Sequence, residues 1–217
     1  MLPTPRRQKN LMATTDYILI GGGDQAKVTA EIILQQGDRI VAVYDRRPCE
    51  PLPGLVSIGD YDNTQFPDAK AIISIGGNIY RKNYAGKLNH VPGAIAHPSA
   101  IISPSAVIGS GSVVMQGSMI QTLVKIGSHV IINTRSSVDH DCEIGDFVHI
   151  APGAVLCGRV TVGEGTLIGA GAVLLPGVRI GRWAQVSAGA VVFRDVQDGG
   201  VVIGNPARVI KVESLSQ

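Results

Sequence analysis

Between Ala100 and about Val192 an aliphatic residue returns at every sixth position without a slip. Ile102, Ile108, Val114, Ile120, Ile126, Ile132, Val138, Ile144, Ile150, Leu156, Val162, Ile168, Leu174, Ile180, Val186 and Val192 make sixteen consecutive matches. Two residues before each sits a small or slim side chain, among them Ala100, Ala106, Ser112, Ser118, Val124, Val130, Ser136, Cys142, Val148 and Ala154. A glycine follows many, as in Ile108-Gly109, Ile126-Gly127, Ile144-Gly145 and Ile180-Gly181. This is the hexapeptide signature of a parallel β-solenoid: six residues supply one short strand and one corner, the aliphatic residue points into a prism, and the small residue lets the corner close. Three hexads complete an eighteen-residue coil, so the repeat predicts a little over five coils. A solenoid leaves its two ends open, so the flanking sequence is expected to cap it.

The repeat fills only the second half of a 217-residue chain, which leaves room for another modest domain. With 45% hydrophobic residues, 17% charged residues and 27 glycines, the composition suits a turn-dense β protein and argues against disorder. A net charge of +2 is too small to imply a nucleic acid partner. No apolar run approaches the length of a membrane span. Residues 1–15 hold Arg6, Arg7 and Lys9 without an apolar core, so they read as a disordered leader rather than a signal peptide, with Met12 an alternative start. The three cysteines, Cys49, Cys142 and Cys157, are odd in number and lack metal-like spacing, which predicts buried, reduced thiols in a cytoplasmic protein.

Ahead of the repeat, Tyr17-Ile18-Leu19-Ile20 is an apolar run broken by Gly21-Gly22-Gly23, and Ala26 to Gln36 reads as a helix ending at Gly37. Ile40 to Tyr44 is a second strand, closed by Asp45. Strand, glycine turn, helix, strand and acid open a Rossmann-like unit whose turn suits a phosphate and whose acid suits a ribose hydroxyl or a base N–H. Leu55 to Gly59 reads as a short strand, Ala71 to Ile75 as a buried one closed by Gly76-Gly77-Asn78, and Tyr80 to Leu88 as a helix. The expected division is a leader over 1–15, a nucleotide-sized domain over 16–93, the solenoid over 94–196 and a cap over 197–217.

Val138-Asp139-His140-Asp141 places a histidine at a corner between acids. An imidazole titrating near 6.5 serves as acid or base at neutral pH, and a neighbouring carboxylate can set its tautomer. One coil on lies Gly158, which has no side chain to cover the ring or its own N–H. His149 is nine residues from His140, half a coil away, so the two cannot meet within one prism. Threefold packing of three prisms would create clefts in which they could. Three converging histidines would be needed for a metal of the kind found in solenoid carbonic anhydrases. His129, His140 and His149 sit at three different phases of the coil, so no metal is expected.

Taken together, the glycine-rich βαβ opening, Ile75-Gly76-Gly77-Asn78, Asn133-Thr134, Asp139-His140-Asp141-Cys142-Glu143-Ile144-Gly145, His149-Ile150-Ala151-Pro152-Gly153-Ala154 and Gly204-Asn205-Pro206-Ala207 resemble bacterial two-domain sugar acyltransferases of the NeuD/PglD type. The resemblance spans Tyr17 to Val212. It implies a left-handed parallel β-helix and a homotrimer that moves the acetyl group of acetyl-CoA to the amino group of a nucleotide-linked deoxyamino sugar. By position, His140 would be the general base supported by Asp141. His149 and the Gly158 backbone would hold the thioester carbonyl, Asn133 would line the same cleft, and Ala170 and Ala188 would follow the pantetheine arm. Gly21, Gly23, Gln25, Asp45, Gly76 and Asn78 would hold the nucleotide. One place departs from the family: its glycine turn usually continues Gly-His, where this chain has Asp24-Gln25 and so a negative charge beside the expected phosphate. Sugar O-acetylation over a vestigial N-terminal domain, and a non-catalytic scaffold, are the alternatives.

Overall fold

The computed structural model describes residues 14–214. Most of the expected leader, Met12 included, therefore lies outside the described residues, as do 215–217 of the expected cap. The first half is a three-stranded parallel sheet in the order β2-β1-β3, made by β1 (Asp16–Ile20), β2 (Arg39–Tyr44) and β3 (Lys70–Ile73). Because β1 is paired on both edges and covered on both faces, it reads as an unbroken apolar run, with Ile18, Leu19 and Ile20 all buried. Helix α1 (Asp24–Gln36) starts two residues earlier than expected and stops where Gly37 turns left-handed at φ 86°. There the Gly37 and Asp38 N–H groups return to Leu34 and Ile33 carbonyls and satisfy the helix end.

Helix α2 covers Asn78–Ala85, shorter than the expected Tyr80–Leu88 and shifted toward the chain start. Leu55 to Gly59 forms no strand; it touches the sheet only through bridges at Val43–Ser57 and Asp45–Gly59. The segment after α2 does not leave the domain as a free linker. The Ala71 N–H donates to the Val91 carbonyl and the Gly93 N–H to the Ala71 carbonyl, laying Val91-Pro92-Gly93 along the sheet edge. Pro92 has no N–H, and an edge is where a sheet accommodates that.

From Ile95–Ala96 to Val191–Val192, seventeen two-residue strands wind into a solenoid of three parallel faces, every strand up to Val173–Leu174 paired with the one eighteen residues on. It makes about six turns, more than the sequence count, because Ile95–Ala96 opens the pattern one hexad early and Val202 continues it. The second residue of each strand fills the prism, and from Val114 to Val192 this row is almost fully buried. The small residue before each strand has its own reason: the hydroxyls of Ser112 and Thr166 donate to the Gly127 and Gly181 carbonyls, so these buried polar groups are satisfied. At the far end Val196 bridges to Ile180, Gly200–Ile203 pairs with Gln185–Val186, and Arg208–Val212 folds back antiparallel over it.

The first residue of each strand points outward, so the three faces differ. One carries Ile95, Val113 and Ile131, which pack with Met115 against Tyr17, Leu19 and Ile33 of the first domain. A second presents Ile101, Met119, Ser137, Val155, Val173 and Val191, without a charge. The third presents Val107, Lys125, Glu143, Thr161 and Arg179, with Lys125 and Glu143 paired at 2.8 Å. Among the described residues no helix is long and apolar enough to cross a membrane. The three cysteines are free; Cys142 is buried, which pushes its thiol up to about 11, whereas Cys49 and Cys157 are half-buried.

Candidate active site

The C-terminal ends of the three strands open into a cleft of about 410 Å³. Gly21, Gly23, Gln25, Asp45 and Gly76 all line it, together with Asp24, Tyr44, Arg46, Arg47, Ser74, Ile75, Tyr80 and Tyr84. This is where an open parallel sheet takes a ligand. Within the glycine turn, the Gly21 N–H is committed to the Tyr44 carbonyl and the Gly22 N–H to Asp45 Oδ2. Among the described residues, the N–H groups of Gly23, Asp24 and Gln25 find no acceptor, so the free donors sit at the start of α1. The buried Gln25 Nε2 likewise lacks a partner. Asp24, on the exposed rim, pairs with Lys27 at 2.8 Å, which offsets part of its charge beside these donors. Asp45 is half-buried, which pushes its carboxyl up, but the Gly22 and Arg47 N–H groups and the Arg47 charge outweigh that and leave it below the usual range. Asn78 stands outside the cleft: its Nδ2 donates to the Gly165 and Thr166 carbonyls of the solenoid.

In the solenoid, His140 lies at the corner between the uncharged and the charged face. Its Nδ1 is 2.8 Å from Asp141 Oδ2, so Nδ1–H donates to the carboxylate and Nε2 is the lone-pair nitrogen. Asp141 reaches that position because the backbone there is left-handed, at φ 59°. The ring lies over Gly158: a Cβ at Gly158 would come within 2.5 Å of His140 Cε1 and Nε2. The Gly158 N–H has no acceptor among the described residues, while the next one, of Arg159, is taken by the His140 carbonyl. A base nitrogen and a free backbone donor thus share one corner.

His149 does not join them. It sits on the docked face, where Asn133 Nδ2 approaches its Nε2 at 3.0 Å. Asn133 Oδ1 already accepts the Thr134 N–H, so the amide nitrogen is the donor and His149 Nε2 the acceptor. Burial, then the neighbouring Arg81 charge, bring the His149 pKa down to about 4 against an opposing hydrogen bond to the Gly76 backbone. The ring is neutral at pH 7, and its Nε2 cannot donate to a carbonyl while the Asn133 bond stands. Ala170 and Ala188 stack one coil apart on the same corner as Asn133, the Gly189 N–H donating to the Ala170 carbonyl, and both are exposed. Within one chain this corner lies across the uncharged face from His140 and Gly158.

Residues 16–88 match the PglD N-terminal domain, and residues 123–158 and 159–194 each match the six-repeat bacterial transferase hexapeptide. The acetyltransferase domain of PglB from Neisseria gonorrhoeae FA1090, whose structure contains acetyl coenzyme A, is 35% identical, with a TM-score of 0.86 over 91% of this chain and 100% of that one. The chain belongs to the PglD-type hexapeptide acetyltransferases. PerB from Caulobacter crescentus, in complex with CoA and GDP-perosamine, is similar at 36% identity and a TM-score of 0.87, covering 92% of this chain and 99% of that one. WeeI from Acinetobacter baumannii AYE is 28% identical, with a TM-score of 0.80 over 91% and 100% of the two chains. No curated protein sequence matches this one. The chain is thus homologous to acetyl-CoA-dependent sugar N-acetyltransferases. Sequence reasoning passed over two residues of this PglD-type chain that the structure places at the cleft or beneath it. Tyr44 is buried in the cleft wall with its hydroxyl unpartnered, and Arg81 is buried where the two domains meet.

Proposed function

We propose that this protein transfers the acetyl group of acetyl-CoA to the amino group of a nucleotide-linked deoxyamino sugar, with His140 as general base. The observation that carries the reading is the pairing of His140 Nε2, freed by the Asp141 bond, with the uncommitted N–H of Gly158. As the sugar amine attacks the thioester carbonyl, Nε2 takes its proton, and the Gly158 N–H donates to the oxygen on which charge develops. The C–S bond then breaks, and the proton held by His140 leaves with the thiolate. Asp141 keeps the imidazole oriented and stabilises its charged form. PerB and the perosamine N-acetyltransferase variants with one histidine replaced by asparagine or alanine are described in complex with CoA and GDP-perosamine, which supports a nucleotide-sugar acceptor here. The cleft beside α1, with free N–H donors and Arg46 and Arg47 on its rim, suits the diphosphate.

The working unit in this reading is a homotrimer. Face composition supports it: the first domain packs on one face, another carries Lys125, Glu143 and Arg179, and the third is an uncharged row. Packing that row around a threefold axis brings His140 and Gly158 of one copy beside Asn133, Ala170 and Ala188 of the next, which lets one ligand touch both corners. The test is a panel of nucleotide-linked amino sugars and matching hydroxyl sugars with acetyl-CoA, following free CoA. Amino acceptors should turn over, and His140→Ala or His140→Asn should lower kcat by roughly 10²–10⁴ with acetyl-CoA binding retained. Preferred turnover of hydroxyl acceptors, or undiminished turnover without the imidazole, overturns the proposal.

A further inference from the structure

Arg81, on α2, is 1% exposed and has no carboxylate within reach among the described residues. Its five N–H donors are spent on backbone and one side-chain amide. Nε donates to the His129 carbonyl at 2.8 Å, Nη1 to the Ile75 and Gly76 carbonyls at 3.0 and 3.1 Å, and Nη2 to Asn78 Oδ1, Phe147 and Val148. Burial alone pulls the guanidinium down to about 10, still charged at any working pH. A buried charge without a counter-ion is an expensive way to hold two domains together, and an apolar side chain of like size is often the more stable choice. The seam already has such packing, in the cluster of Ile95, Val113, Met115 and Ile131 with Tyr17, Leu19 and Ile33.

The location of the charge is informative. Ile75 and Gly76 form one wall of the nucleotide cleft, whereas Phe147 and Val148 lead directly into His149, which bonds Asn133. One rigid fork therefore grips both the wall of one half-site and the coil that carries the other. We propose that Arg81 is a positioning residue that sets the register between the nucleotide cleft and the acetyl-transfer corner, resting on the acetyltransferase reading above. A sugar linked to a nucleotide must reach from the first to the second, and a misplacement on the order of 1 Å costs roughly 10²-fold in rate even where neither half-site has changed. A lysine cannot replace it, because one ammonium reaches only one side of the seam.

The decisive measurement separates the half-sites from their alignment. In Arg81→Met, checked for folding by circular dichroism, binding of acetyl-CoA alone and of UDP, dTDP or GDP alone, whichever the wild type binds, should stay within about threefold. The kcat for the nucleotide-linked amino sugar should fall roughly 10²-fold, and Arg81→Lys should not rescue it. If Arg81→Met fails to fold, Asn78→Ala carries the same test. It removes one acceptor of the guanidinium and two bonds to the solenoid without removing a charge, and should show the same split at a smaller size. Wild-type turnover in a folded variant overturns the proposal, as does a loss wholly accounted for by weaker binding of one half-ligand. A wild type that binds both half-ligands but acetylates no nucleotide sugar overturns the functional reading, and the proposal with it.

Discussion

His149 and Gly158 show how much a single position can owe to what lies one coil away. His149 is held neutral: burial, then Arg81, bring its pKa to about 4, below the usual value near 6.5. An unfolded chain binds the proton first, so this group's contribution to stability is complete above about pH 6.5 and lost as the pH falls toward 4. The span corresponds to at most about 3 kcal/mol. Melting temperature should therefore drop between pH 7 and pH 4.5, and His149→Gln should flatten part of that slope. The remainder includes His129, whose ring stacks on Phe147 and whose pKa burial and then Arg81 also lower. An unaltered slope in His149→Gln would argue against a buried neutral imidazole. At Gly158, a methyl group would meet the His140 ring at 2.5 Å, and the ring is the movable partner. Gly158→Ala should leave the melting temperature close to wild type while lowering kcat roughly tenfold or more by displacing the base.

At the scale of the hexad, the chain uses glycine for two unrelated purposes. Gly127, Gly145 and Gly163 follow one another a coil apart, and a Cβ at Gly145 would lie 2.8 Å from the Glu164 backbone nitrogen. Nothing there can yield except the spacing between coils. Gly153 is different: a Cβ would meet nothing within 4 Å, and only its left-handed φ of 67° favours glycine. Gly145→Ala should therefore cost more than about 2 kcal/mol and Gly153→Ala nearer 1, as read from denaturant unfolding. Equal costs would mean that coil spacing is softer than the contacts imply. The left-handed residue recurs at every sixth position from Gly111 to Gly189, and half of those positions hold other residues, including Leu123, Arg135, Asp141 and Trp183. That is why the corner conformation was only partly legible as a glycine pattern.

For the whole molecule, the uncharged face makes the sharpest prediction. Val173→Glu places a carboxylate in the row from Ile101 to Val191, one coil before its end, without touching the nucleotide cleft, His140 or the prism interior. If this face joins three copies, light scattering should show wild-type particles of three chains and variant particles of one. The variant should bind nucleoside diphosphate normally and transfer no acetyl group. A fully active single chain would show that His140 and Gly158 need no neighbour.

The hexad period by itself determined the solenoid, its inward row and the stacking of His140 over Gly158, because a strict repeat converts sequence distance into spatial position with no further information. The strand-turn-helix-strand opening likewise brought Gly21, Gly23, Gln25, Asp45 and Gly76 to one cleft, since the ends of parallel strands always gather. What the repeat does not encode is which face meets which domain. Asn78 was expected in the cleft and lies in the seam, and nothing in the sequence marked out Arg81, which the seam buries. Each outcome depends on contacts between residues that no local period relates. Only the docking of the sheet on the solenoid buries the Arg81 charge, turns His149 into a neutral acceptor and joins the two halves of the site.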